Sequence, residues 1–270
     1  MELETLYLVI KIILSVFVFL FGLCIGSFLN VLIYRMPLGL DFVHRDAHSM
    51  CTTCKHELKW YDLVPLFSFL FLGGKCRYCK AKISYIYPFV EALNAFLYLF
   101  AYGYACNFTP SLAMLAYALI IPALIVIVFI DFKHQIIPDS MWITVLLGGI
   151  VLYIDEIIKN GFNINALISR IVGFFLVSVI LLLIGYLTGG MGGGDVKLMA
   201  AAGFLLGWKN VLLALILGGV VGVIFLGITK TLKKGDMKKE VPFGPHLAVG
   251  IFVAMFFGNN MLNWYMSFFA

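Results

Sequence analysis

The chain has 270 residues, 63% of them hydrophobic and only 12% charged, with a mean hydropathy of +1.03. Soluble domains carry about 25% charged residues, so this composition excludes a soluble globular enzyme and places the chain in a bilayer. Nineteen Lys and Arg against 14 Asp and Glu are too small an excess to call for nucleic acid, and no such partner is expected.

Crossing the hydrocarbon layer takes about 20 apolar residues. The apolar runs predict spans at Tyr7–Ile33, Tyr85–Tyr104, Leu112–Ile130, Met141–Ile157, Ala166–Leu187, Asn210–Thr229 and Leu247–Phe268, with a shorter piece, Val196–Trp208, as an eighth. The expected fold class is therefore an all-α polytopic membrane protein of about eight transmembrane helices. The first run lacks a small-residue cleavage site and reads as a retained span. It gives a first transmembrane helix over 1–34, a polar insert over 35–84 and a membrane core over 85–270.

Charge placement sets the expected orientation. If each segment crosses once and the first runs inward, 15 of the 19 Lys and Arg fall on one side, in 34–84, 131–139, 188–197 and 230–246. The positive-inside rule makes that side cytoplasmic. Lys230, Lys233, Lys234, Lys238 and Lys239 then form a basic loop against anionic lipid.

The insert carries Cys51-Thr-Thr-Cys54 and, after 21 intervening residues, Cys76-Arg-Tyr-Cys79. Two such knuckles predict a tetrahedral four-thiolate zinc site, structural because no ligand position stays open. A cytoplasmic setting argues against disulfides, and so small a segment needs a staple. His44, His48 and His56 share the insert and are read as surface residues. Cys24 and Cys106 are read as small core residues.

Two carboxylates stand at the ends of spans. Asp131 closes the run Leu119–Ile130. Asp195 follows a glycine-rich stretch, Gly189-Gly-Met-Gly-Gly-Gly-Asp195-Val-Lys197. An ionisable group at membrane depth is costly and marks a functional site by default. Neighbouring carboxylates share a proton, so one can act as base while the other acts as acid. The competing reading is a pair of juxtamembrane acids facing Lys133 and Lys197. Asp139, after Pro138, is expected to cap the next span. Gly218, Gly219 and Gly222 suit close helix packing.

These blocks together resemble the type IV prepilin peptidases, membrane aspartyl proteases of the Gly-x-Gly-Asp class. The resemblance covers nearly the whole chain. It runs from Gly26-Ser-Phe-Leu-Asn-Val-Leu-Ile-Tyr-Arg-Met-Pro37 through both cysteine pairs, with Trp60-Tyr-Asp-Leu-Val-Pro65 and Tyr87-Pro-Phe-Val-Glu91. It continues to Asp131 with Ile137-Pro-Asp139, Gly190-Met-Gly-Gly-Gly-Asp-Val-Lys-Leu198 and Pro242-Phe-Gly-Pro-His-Leu-Ala248. It implies that Asp131 and Asp195 are the catalytic pair, supported by Gly192 and Gly194, and that 85–270 is the peptidase core. It implies cleavage of the basic leader from prepilins or pseudopilins at the inner face of a bacterial cytoplasmic membrane. It further implies N-methylation of the new terminus from S-adenosylmethionine, with the insert supporting methyl transfer and Gly74 and Lys75 as candidates there. Thr53 stands where the family usually has proline. The rival readings are a presenilin-like protease, whose members lack such an insert, and a transporter, which would more often show internal repeats.

Overall fold

The computed structural model describes residues 2–40, 48–189, 191–232 and 242–268. His44 and the lysines at 233, 234, 238 and 239 lie outside the described residues. Among the described residues there are eight α-helices: α1 Glu2–Arg35, α2 Phe67–Phe71, α3 Ile86–Tyr104, α4 Leu112–His134, α5 Asp139–Asn160, α6 Ile164–Thr188, α7 Gly193–Leu232 and α8 Gly244–Met266. No strand occurs among the described residues, and two isolated bridges lie in the insert.

Six helices among the described residues, α1 and α4 to α8, are long and apolar enough to cross a membrane. Two expected spans differ from this set. The 19-residue α3 is not among the six, because Glu91, Asn94 and four tyrosines interrupt its apolar run. The expected short piece Val196–Trp208 and its successor form one helical trace, α7, broken at Gly207 with φ 75° and ψ 168°. Counting α3, and α7 as two, eight segments remain.

The chain divides into two compact units, Met1–Met114 and Leu115–Ala270. In the first, α1 lies along α3. Apolar side chains cover α1 all round, and Ile13 and Phe17 are more than 60% exposed, as expected of a helix that meets lipid. Because lipid provides no hydrophobic drive between helices, polar groups supply the specificity. Asn94 donates its amide to the Gly22 carbonyl at 2.7 Å, and Asn30 donates to the Tyr87 carbonyl at 3.1 Å.

In the second unit α4 is the most enclosed span. Its Tyr117 ring meets Phe256 of α8 at 5.2 Å, and Phe132 meets Phe225 of α7 at 5.8 Å. As the small-residue pattern predicts, Gly218 packs against the α8 backbone at His246 and Leu247, while Gly222 faces the His246 ring. The break in α7 frees carbonyls that need donors. Arg170 of α6 supplies them, donating Nη1 to the Phe204 and Leu205 oxygens at 3.1 and 2.7 Å. Its Nη2 pairs with Glu156 at 2.7 Å, and its guanidinium lies 5.0 Å from the Tyr153 ring.

Candidate active site and metal centre

Helix α4 continues past the expected end at Ile130, so Asp131 sits in its last turn and is 5% exposed. One carboxylate oxygen, Oδ2, accepts the backbone N–H of Gly244 at 3.0 Å, where α8 begins. A β-carbon at position 244 would lie 2.7 Å from that oxygen and 3.1 Å from Ile137 Cδ1, so only glycine fits. Asp195 lies in the first turn of α7, where unpaired N–H groups favour a negative charge. Its carboxyl takes a hydrogen bond from the Gly192 backbone and interacts electrostatically with Asp131. A β-carbon at Gly194 would come within 2.9 Å of Ile137 Cβ. The two acids, Gly192, Gly194 and the start of α8 thus converge around Ile137.

Asp139 does not cap α5. Pro138 is the capping residue, and the Asp139 carboxylate accepts instead from Trp142 Nε1 at 2.8 Å and Lys197 Nζ at 2.7 Å. Lys197, two residues beyond Asp195, is thereby engaged by Asp139. His246, to which the sequence pattern assigns no role, lies beside Gly244. It is 3% exposed, its Nδ1 lies 3.0 Å from the Pro242 carbonyl, and its ring stands between Phe132 and Phe225. Its place in Pro242-Phe-Gly-Pro-His246, two residues beyond Gly244, was the available signal.

The four insert cysteines converge. Their sulfurs lie within 4.8 Å of one another, and Cys51 Sγ is 3.8 Å from Cys79 Sγ. A tetrahedron with metal–sulfur bonds of about 2.3 Å has edges of about 3.8 Å, so the set fits a four-thiolate metal site. The Cys54 backbone N–H, foremost, draws the Cys51 thiol down to about 6 against the cost of burial, with help from Thr53. The two knuckles repeat one backbone pattern. Cys51 N donates to His56 O and Lys55 N to Cys51 O; Cys76 N donates to Ala81 O and Lys80 N to Cys76 O. Lys55 and Lys80 both take φ 58°.

His48 pairs with Glu57 at 3.0 Å and His56 stacks on Tyr78, so neither joins the cluster. Cys106 is buried, as expected of a core residue, whereas Cys24 is exposed because its face of α1 is not covered by α3. Asp62 locks the knuckle to the preceding turn. It accepts from Arg77 Nε at 2.6 Å, and its side chain is 3% exposed. Burial alone would push its carboxyl up, but bonds from Arg77 and the Lys59 backbone outweigh that and hold it below the ordinary carboxylate value. Buried Glu91 of α3 ties the insert down by accepting the Leu66 N–H at 2.7 Å. Gly74 takes φ 68° over the Phe69 ring, and Lys75 bridges to Lys82.

Two family models match the chain: the bacterial Peptidase A24 N-terminal domain over residues 20–105 and the type IV leader peptidase family over residues 118–227. Among curated proteins, a prepilin leader peptidase/N-methyltransferase of Aeromonas salmonicida (strain A449) is 34% identical, with 93% of each chain covered. Proteins of the same description from Legionella pneumophila and Pseudomonas aeruginosa are 32% and 33% identical over at least 92% of each chain. No solved structure matches.

Proposed function

The chain belongs to the type IV leader peptidase family, and on that premise we propose that it cleaves the basic leader from prepilin-like substrates and N-methylates the new terminus. The carrying observation is that Gly194, next to Asp195, and Gly244, which holds Asp131, both pack on Ile137. Asp131 and Asp195 serve as the acid–base pair, and Gly192 and Gly194 shape the approach to Asp195. One carboxylate takes a proton from water while the other protonates the scissile carbonyl, the division of labour open to two acids sharing one charge. The spans hold the substrate's apolar helix in lipid and leave its basic leader among the headgroups. In this reading the N-terminus lies outside, and the insert and both acids face the cytoplasm, as the charge bias supports.

Cys51, Cys54, Cys76 and Cys79 would hold a structural zinc ion, with four thiolates leaving no position open for chemistry. S-adenosylmethionine, when bound, supplies the methyl group for the freed α-amine.

Purified wild type, Asp131→Asn and Asp195→Asn are incubated with a prepilin and read by intact mass, with and without S-adenosylmethionine. Leader loss in wild type alone, with a further gain of one CH2 when the cofactor is present, is the expected result. Cleavage by either variant at near-normal rate overturns the acid assignment.

A further inference from the structure

The insert carries an apolar surface that its own fold leaves uncovered. In the short helix α2, Phe67, Leu70 and Phe71 stand at i, i+3 and i+4 and so share a face. Leu70 and Phe71 are 66% and 87% exposed. The other face, through Ser68, Phe69 and Leu72, turns onto a cavity that Val31 of α1 and Glu91 of α3 also line. An exposed apolar patch marks a surface that meets a partner or a membrane.

The depth of α2 identifies which. Helix α1 carries no charged residue from Ile12 to Tyr34, a stretch of about 35 Å at about 1.5 Å per residue. The hydrocarbon layer is about 30 Å thick, so one of its edges falls close to Arg35. Gly26 lies about 13 Å along α1 from that residue, and a β-carbon there would stand 2.6 Å from the Glu91 Cα. Glu91 in turn accepts the Leu66 N–H at 2.7 Å, where α2 begins. The Phe69 ring meets Tyr85, the residue before α3, at 5.5 Å. Helix α2 therefore lies beside the first turns of α3, between the levels of Tyr85 and Glu91. That is close to the depth of about 5–10 Å at which interfacial helices bury their apolar face.

Two further features fit this depth. Backbone inside a membrane must find its partners within the protein. Here the N–H groups of Leu66, Ser68, Leu70, Leu72 and Gly73 all have acceptors, the first in Glu91 and the rest in backbone carbonyls of 64–70. After α2 the chain turns at Gly73 and Gly74, both at positive φ, and leads to Lys75, which bridges to Lys82. Both lysines are exposed. Basic residues next to an apolar face match an anionic headgroup layer.

We propose that α2 is a re-entrant interfacial helix, with Phe67, Leu70 and Phe71 set into the acyl boundary of an anionic leaflet. The insert is then only partly outside the bilayer, and α2 holds the four-cysteine knuckle against the membrane surface.

The test is photocrosslinking of the full-length protein in nanodiscs of phosphatidylcholine and phosphatidylglycerol. The photoreactive residue p-benzoylphenylalanine replaces Phe71, with Leu70 as a second probe position and exposed Thr53 of the knuckle as the comparison. A melting temperature equal to that of wild type shows that each probe leaves the fold intact. Intact mass reads the lipid adduct, and fragmentation places it on the acyl chain or the headgroup. Acyl-chain adducts at 70 and 71, in about tenfold higher yield than at 53, are the expected result. Equal yields at 53 and 71, or adducts confined to headgroups, overturn the proposal. Prepilin added to the same nanodiscs tests the other occupant: an adduct from 71 to the pilin in place of lipid gives this face to the substrate and overturns the lipid assignment.

Discussion

Gly244 donates its backbone N–H to Asp131 Oδ2 at 3.0 Å, and a β-carbon added to the same residue would press on that oxygen at 2.7 Å. Contact and constraint come from one atom's absence. The start of α8 can hold the carboxylate only because residue 244 has no side chain. Gly244→Ala must therefore displace either the acid or the helix. Misplacing a reacting group by about 1 Å costs about 100-fold, so kcat for leader cleavage should fall by about that factor while KM changes little. Cleavage at the wild-type rate would show that Asp131 needs no such support.

The spans were legible because apolar length is a one-dimensional property, and the metal cluster because its four ligands come in two local pairs. The meeting of Asp131 with Gly244 was not, since it joins residues 113 apart and depends on how α4 and α8 pack. Asp139 misled for a similar reason. A local rule assigned it to its own helix end, and the stronger partner, Lys197, came from α7. The shared turn after each knuckle could have been read from Cys51-x-x-Cys54-Lys55 and Cys76-x-x-Cys79-Lys80, but nothing in a lysine announces positive φ.

That turn yields a second prediction. A non-glycine residue held in the left-handed region costs about 1–2 kcal/mol. Both Lys55 and Lys80 are held there. Lys55→Gly and Lys80→Gly should each slow proteolysis of the insert, without changing the metal content. Faster proteolysis would mean that the lysine side chains contribute more than their backbones cost.

Elemental analysis should find one zinc ion per chain, and Cys76→Ser should lose it, since a structural site with three thiolates is no longer closed. Chelation of wild type should expose the insert to protease and leave the helices of the second unit intact by circular dichroism. Full zinc retention by Cys76→Ser would refute the four-ligand assignment.

Arg170→Lys keeps the charge but cannot serve two carbonyls, a carboxylate and a ring at once. Leaving buried carbonyls unpaired costs about 1–3 kcal/mol, so the melting temperature should drop by several degrees. An unchanged melt would mean that water satisfies the break as well as arginine does.

The Asp62 carboxyl is held below its ordinary value of 3.8, chiefly by Arg77 once the opposing effect of burial is overcome. A depressed carboxyl stabilises the fold above the unfolded pKa, and that contribution disappears as pH falls through the folded one. Asp62→Asn should therefore melt below wild type at pH 6, with the gap closing toward pH 3. A gap independent of pH would assign the effect to shape rather than charge.

The break at Gly207 has a consequence for where water must go. From Gly193 to that break α7 rises only about 21 Å, at about 1.5 Å per residue, whereas the hydrocarbon layer is about 30 Å thick. That segment is about 9 Å shorter than the layer is thick. Asp195 stands at that shortened end. If Asp195 is the proposed acid, a thinned bilayer or a channel of solvent would bring water to it, and cleavage would depend on local bilayer thickness. Lipids with longer chains should slow the enzyme without touching a single residue.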